Sequence, residues 1–380
     1  MRGNIQEQAA ADCYDRPHGR PRQRVLLVVL ALLALQIGSL ISPAYACGCG
    51  AMVPGAQSRM TVDHETAVVD WDGRREQIVM RFTVDSDAPE AAWIMPVPGR
   101  AEVELAENAL FDELAEITAP VHRERSYFWP RDGDWPLGSG HADGAAAAPL
   151  PGKAAGVGVV GREQLGDFDV ARLTATDPDA LRGWLTENGF RLPDGLTADL
   201  DPYVRQGWEY VAVRLAPREK GAVLRGTLDP LRLAFASDRP VYPMRLSRRA
   251  ENSQALSLFV LAGHRMEPRS AIGGDEPEVT FAGKVGPYGA VGELTGGKER
   301  FLTAFEQDFP RPERINGDHE LRAADSDASF RRVVYDDELL TVAGMPVWLM
   351  TLGAAVAAAA TAVVLRVRSR RRNAVPLSAA

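Results

Sequence analysis

The stretch Thr66-Ala-Val-Val-Asp-Trp-Asp-Gly-Arg-Arg-Glu-Gln-Ile-Val-Met-Arg-Phe-Thr-Val84 decides the fold. Its second half, Gln77 to Val84, alternates apolar and polar residues with the two-residue period of a half-buried strand. Asp72-Gly73 stands between it and the apolar run Thr66 to Trp71, and a dipeptide of that kind turns a chain into a hairpin. The reading that follows is an antiparallel pair. Working outward, Met60 to Pro98 holds three strands, the third being Ala91 to Pro98, whose prolines end it or place it at an edge. Glu104 to Glu116 carries Leu105, Ala109, Leu110 and Leu114 at helical spacing, and Val121 to Tyr127 returns to the sheet. Gly158 to Ala175 is two strands around Gly166-Asp167. Asp177-Pro178 opens a helix that Asn188-Gly189 closes, and a second helix covers Thr197 to Gln206. Trp208 to Leu215, Leu228 to Ala236, Val241 to Leu246 and Ala255 to Ala262 follow as strands, with a further helix expected near Lys298 to Asp308. Strands outnumber helices and arrive in runs, so the fold class is α+β: mainly antiparallel sheets with a few packed helices, plus one C-terminal transmembrane helix. Pro130 to Gly156, rich in Gly, Ala, Pro and Asp, has little to bury and reads as a flexible insertion.

Two apolar segments bracket this domain. Arg16, Arg20, Arg22 and Arg24 precede the apolar run Val25 to Leu35, and Ala44-Tyr45-Ala46 then supplies an Ala-x-Ala site. The order is that of a secretory signal peptide, residues 1–46, cut between Ala46 and Cys47; an uncut short anchor is the alternative. Met345 to Leu365 has no charged residue and, at about 1.5 Å per residue, is long enough for a hydrocarbon core of about 30 Å. Arg366, Arg368, Arg370, Arg371 and Arg372 follow it as a stop-transfer signal, whereas Asp336, Asp337 and Glu338 precede it. The positive-inside bias puts the tail, residues 366–380, in the cytoplasm and residues 47–344 outside. The expected location is the plasma membrane, single-pass.

Across 380 residues, Lys and Arg number 43 against 51 Asp and Glu, a net charge of −8. No basic surplus is present to neutralise a phosphate backbone, which argues against nucleic acid as a partner. Division by topology leaves residues 47–344 with a net charge of −15, so the expected partners are the membrane through the single span, and an envelope protein or a cationic partner outside it.

Cys47-Gly-Cys-Gly50 starts the expected mature chain. A glycine between two cysteines lets them close a local disulfide in an oxidising compartment. Thiol exchange, Cu(I) binding and lipidation of Cys47 are the other readings of the pair. No complete catalytic signature occurs. Gly156-Val-Gly-Val-Val-Gly161 has the letters of a dinucleotide loop without the strand before it or the helix after it, so no cofactor is expected. His64-Glu65 begins a zinc-protease helix, but Val68 stands where the second His is required. Asp85-Ser-Asp87, Asp132-Gly-Asp134 and Asp325-Ser-Asp327 lack the remaining ligands of a calcium loop, and Trp71, Trp93, Trp184 and Trp208 read as core residues. An enzyme with dispersed residues would need His64, His122 or His264 beside a carboxylate or hydroxyl in a pocket.

Several segments together resemble the bacterial family called domain of unknown function 2330: Cys47 to Gly50 after a signal peptide, Val68 to Gly73, Ala92 to Pro98, Leu110 to Leu114, Trp184 to Phe190, Tyr203 to Leu215 and Pro240 to Ser247. The resemblance implies one extracytoplasmic domain with a C-terminal anchor, and no catalytic residue. Ala, Gly and Arg richness suits an actinobacterial member. The leading functional expectation is a membrane-anchored cell-envelope binding or structural module. The alternative is an envelope enzyme, either a hydrolase or a thiol protein using Cys47 and Cys49.

Overall fold

The computed structural model describes residues 50–373, apart from 56–57, 132–133, 135–162, 166–167, 174–177, 191–194 and 218–221. Ala46, Cys47, Cys49, the glycines from Gly156 to Gly161 and most of the expected insertion lie outside the described residues.

Strands β1 (Ala51–Pro54), β2 (Met60–Trp71), β3 (Arg75–Ser86), β4 (Ala91–Val97) and β5 (Glu102–Leu105) precede helix α1 (Ala109–Thr118) and strand β6 (Val121–Tyr127). The middle third holds β7 (Glu163–Leu165), β8 (Phe168–Leu173), α2 (Pro178–Glu187), α3 (Leu196–Arg205), β9 (Glu209–Leu215), β10 (Gly226–Thr227), β11 (Leu231–Ala236) and β12 (Val241–Tyr242). Then come β13 (Gln254–Ala262), β14 (Met266–Pro268), β15 (Glu278–Val285), α4 (Gly289–Leu294), β16 (Arg300–Phe309), β17 (His319–Ala323), β18 (Phe330–Arg331) and β19 (Val333–Leu339). A small hairpin, β20 (Thr341–Val342) and β21 (Met345–Pro346), leads into α5 (Val347–Asn373).

The opening hairpin forms as its sequence dictates. Asp72 Oδ1 accepts from the N–H groups of Arg74 (2.9 Å) and Arg75 (2.8 Å), and Gly73 takes φ +101°, a conformation a Cβ would resist. Strands β2 and β3 sit inside a nine-stranded sheet ordered β18-β15-β16-β13-β2-β3-β11-β5, with β10 also on β3; β1-β4-β9-β8-β7 make a second, five-stranded sheet. Every pairing in these two sheets is antiparallel except β2 with β13.

Alternation along the strands builds three apolar layers. Ala67, Val69, Ile78 and Met80 of the large sheet meet Met52, Trp93, Met95 and Val213 of the small one. Their strand neighbours point the other way: Ala92, Ile94, Tyr210 and Ala212 pack under α2 and α3, and Val68, Val79 and Leu261 pack under α1 and α4. The order of layers is therefore helix, sheet, sheet, helix, and the α+β class stands.

Three local expectations need correction. Lys298 to Asp308 is strand β16, not a helix: it is paired on both edges and buried on nearly every residue, so its apolar residues fall on two faces and imitate helical spacing. Glu104 belongs to strand β5 and the helix begins only at Ala109. Only Val241 and Tyr242 of the run to Leu246 are extended; Arg245–Arg249 is a 3-10 turn. Strand β6 does form, but it joins neither large sheet; it pairs in parallel with β19. Helix α5 is long and apolar enough to cross a membrane and is almost wholly exposed.

Candidate functional site

At one end of the large sheet β2 and its parallel neighbour β13 finish together, in the register Asp70 opposite Leu261, while β16 starts at Arg300 alongside. The short sheet β12-β17-β14 closes over this end. The result is a cleft of about 330 Å³ whose walls include Trp71, Asp238, Arg239, His264, Arg269, Arg300 and Arg322, over a floor containing Ala262, Met266 and Leu321. Sequence reading placed Trp71 in the core; it instead lies half-buried at the wall, its indole N–H donating to the Ser237 carbonyl at 3.3 Å. Trp93 and Trp208 are core residues as expected.

The arginines differ in what holds them. Arg300 pairs with Asp70 at 3.0 Å, with side chains 10% and 4% exposed. Gln77 donates to the same carboxylate (3.2 Å) and to the Leu294 carbonyl (3.0 Å). Burial pushes the Asp70 carboxyl up, and the Arg300 hydrogen bond and charge oppose that rise. Arg239 reaches Glu320 at 3.5 Å and Arg322 reaches Glu267 at 2.7 Å. The side chains of Arg269 and Asp238 make no ion pair or hydrogen bond among the described residues. The cleft thus has one cation and one anion, both exposed to solvent, without an ion pair or side-chain hydrogen bond among the described residues, above an apolar floor. A carboxylate and an ammonium on one ligand satisfy that pair, whereas a wholly apolar ligand leaves both charges partly desolvated.

Behind the wall lies a set of buried polar groups. Glu76 is fully buried and accepts from the Val241 N–H at 3.0 Å through Oε1, with the Ser237 side chain also acting on its carboxyl. Burial drives its pKa to about 8. The Tyr242 hydroxyl donates to the buried Glu65 carboxylate. His319, opposite Tyr242 in the β12–β17 pair, is pushed by burial to about 4. Asp318 accepts from the N–H groups of Met244 (2.9 Å) and Arg245 (3.0 Å) and from the Tyr203 hydroxyl (2.6 Å). The segment Pro240 to Ser247 is therefore pinned to both cores, which keeps the Asp238–Pro240 wall in place.

The histidines are scattered. His264 lines the cleft and its Nδ1 lies 3.0 Å from Asp327 Oδ2, while Asp327 also accepts from the Arg265 N–H at 2.8 Å. That N–H, then the imidazole, lowers the Asp327 pKa. None of the residues lining the cleft carries a hydroxyl or thiol. His64 Nε2 sits 3.1 Å from Ser257 Oγ, its pKa lowered by burial, with no carboxylate hydrogen-bonded to the ring. His122 Nδ1 meets Asp336 at 3.0 Å on the exposed β6–β19 pair. The structure does not bring these three together. Asp85 is taken by Arg225 and Asp87 by the Arg59 N–H. Among the described residues no His, Cys, Asp or Glu group of three is arranged to hold a metal. Arg366, Arg368, Arg370, Arg371 and Arg372 occupy the C-terminal end of α5.

Sequence reading missed the cleft arginines altogether. Arg239, Arg269, Arg300 and Arg322 are dispersed over more than eighty positions, and only the Pro240 to Ser247 segment pointed near them.

The fold and site define a class: a two-sheet α+β domain with an end-of-sheet cleft and one membrane-capable helix. Within that class, the chain belongs to a family of uncharacterized proteins conserved in bacteria, DUF2330, whose sequence pattern matches residues 43–322. No curated protein matches it. The family match takes in the cleft as far as Arg322 and stops before β19 and α5.

Proposed function

We propose that this protein is a membrane-anchored, extracytoplasmic binding module of the cell envelope. In this reading it is exported by a leader cut between Ala46 and Cys47, Cys47 and Cys49 form a local disulfide, and α5 holds the domain on the outer face. The observation that carries binding is the cleft, where Arg269 and Asp238 stand without an ion pair among the described residues over Ala262, Met266 and Leu321. Its ligand class is a small zwitterion with an apolar body, such as a free amino acid or a short peptide: carboxylate to Arg269, ammonium to Asp238, side chain on the floor beside Trp71. The acidic net charge of residues 47–344 favours cationic partners at long range.

Calorimetric titration of the full-length protein in detergent with leucyl-phenylalanine tests this. Saturable binding is expected, with about tenfold weakening when either the amine is acetylated or the carboxylate is amidated, since a charge-assisted hydrogen bond contributes about 1.5–3 kcal/mol. Arg269→Gln should erase the discrimination against the amide alone. Equal affinity for the peptide blocked at both ends, or no binding, overturns the assignment.

A second reading is favoured by His264, which lines the same cleft with Asp327 on its Nδ1. In a hydrolase the carboxylate would orient the ring and Nε2 would take a proton from water. Turnover of chromogenic ester, phosphate or glycoside substrates that is abolished by His264→Gln would establish it; turnover unchanged in that variant would remove it.

A further inference from the structure

Strands β6 and β19 run parallel, from Val121 beside Val333 to Tyr127 beside Leu339, so both head towards α5. At their shared end the Leu340 N–H donates to the Tyr127 carbonyl at 2.9 Å, and the N–H of Val347, the first residue of α5, donates to the Leu340 carbonyl at 2.9 Å. The β20–β21 hairpin is only a side excursion between those two bonds. Phe128 and Trp129, which follow β6 directly, are therefore two backbone hydrogen bonds from the first turn of α5.

This corner is held outward. Arg131 lies over the Tyr127 ring at 4.1 Å and binds Asp337 at 2.6 Å. Asp134 accepts from the Tyr127 hydroxyl (2.7 Å) and the Arg131 N–H (2.8 Å). Phe128 meets Trp129 edge to face, with centroids 5.1 Å apart, yet Trp129 remains 71% exposed. Leu340, Val342 and Met345 are exposed at the same end. Of the acidic residues on this ribbon, Asp337 is compensated by Arg125 and Arg131, which lowers its repulsion of an anionic membrane. An amphipathic indole next to the start of an apolar span belongs at the headgroup layer, where one edge is apolar and the other wet.

We propose that the Phe128–Trp129 corner is a second membrane contact, with the Trp129 indole seated in the headgroup layer of the bilayer that α5 spans. The ribbon β6–β19 then stands on the membrane at two points, the helix and the indole, and the domain cannot swivel freely about its anchor. The proposal rests on the reading of α5 as a span, and the test separates the two.

The full-length protein is placed in phosphatidylcholine–phosphatidylglycerol vesicles with acyl chains brominated near the headgroup, and the emission of Trp129 is taken as wild type minus Trp129→Phe. Carbonate extraction is run on the same vesicles. The expected result is a difference spectrum that loses most of its intensity to brominated lipid and little to aqueous iodide, with both proteins resisting extraction. Quenching by iodide and not by lipid, in protein that resists extraction, overturns the indole contact and leaves the span intact. Extraction of both proteins by carbonate overturns the span and the indole contact with it.

Discussion

Two ion pairs of the same chemistry sit in opposite surroundings. Asp70–Arg300, in the cleft wall, is 3.0 Å long and nearly dry, whereas Asp337–Arg125, on the β6–β19 ribbon, is shorter at 2.6 Å and more open to solvent. Asp337 has two arginines and two hydrogen bonds from Arg125, and its carboxyl is held well below the usual carboxylate range by those bonds. By distance and partner number the ribbon pair ranks first. In energy the order reverses, because water screens an exposed pair and its ordering costs side-chain entropy, while a buried charge that loses its partner has nothing to replace it. Burial, more than geometry, ranks the charges of this protein.

The sharpest way to break that comparison is Arg300→Met, which strands Asp70 in the wall and should cost about 3–5 kcal/mol in urea unfolding. Adding Asp70→Asn should return most of it. If the single variant costs no more than an exposed pair does, the ranking by burial is wrong.

Next in size are the buried titratable groups without an ion pair. Glu76 has its folded pKa raised from 4.5 to about 8, so its contribution is fully present below pH 4.5 and is lost as pH rises through 8. On the order of 3 kcal/mol should be lost between pH 4.5 and 7. His319 is depressed from 6.5 to about 4, so its contribution is present above pH 6.5 and is lost as pH falls through 4, a total also on the order of 3 kcal/mol. The two slopes oppose each other from pH 4.5 to 6.5. Glu76→Gln, which keeps the acceptor for the Val241 N–H, should remove the alkaline loss and expose the acid one. His319→Gln should do the converse, and unfolding midpoints measured from pH 4 to 8 read both.

Asp72→Ala removes the acceptor of two turn N–H groups at the cleft mouth and should cost about 1 kcal/mol, with Asp72→Asn recovering most of it. The smallest effect is Asp337→Asn, for which the unfolding midpoint should stay within error at both low and high salt. A midpoint drop comparable to that of Arg300→Met would end the contrast from the other side.

The hairpin at Asp72-Gly73, the strands β2 to β4 and the helices α2 and α3 were legible because their signals are local: a turn dipeptide, a two-residue period, a capped helix start. Strand β16 was not, since burial on both faces erased the period that separates strand from helix. Strand β5 was lost beside α1 because Leu105 fits either spacing. The cleft was illegible for another reason. Its Arg269 and Asp238 matter because they lack partners among the described residues, and partners of the other arginines, Asp70, Glu267 and Glu320, are assigned by sheet register and by the closing of β12-β17-β14 over the sheet end. His264 was visible as a candidate, but its neighbour Asp327 lies 63 residues away.

By itself the amino-acid sequence determined the α+β class, the family pattern and the apolar length of the C-terminal helix, all of which follow from short-range periodicity and composition. Only the tertiary structure decided which charges are buried, which are paired and which stand free, because a charge's worth depends on the water around it, and strands distant in sequence decide how much water that is.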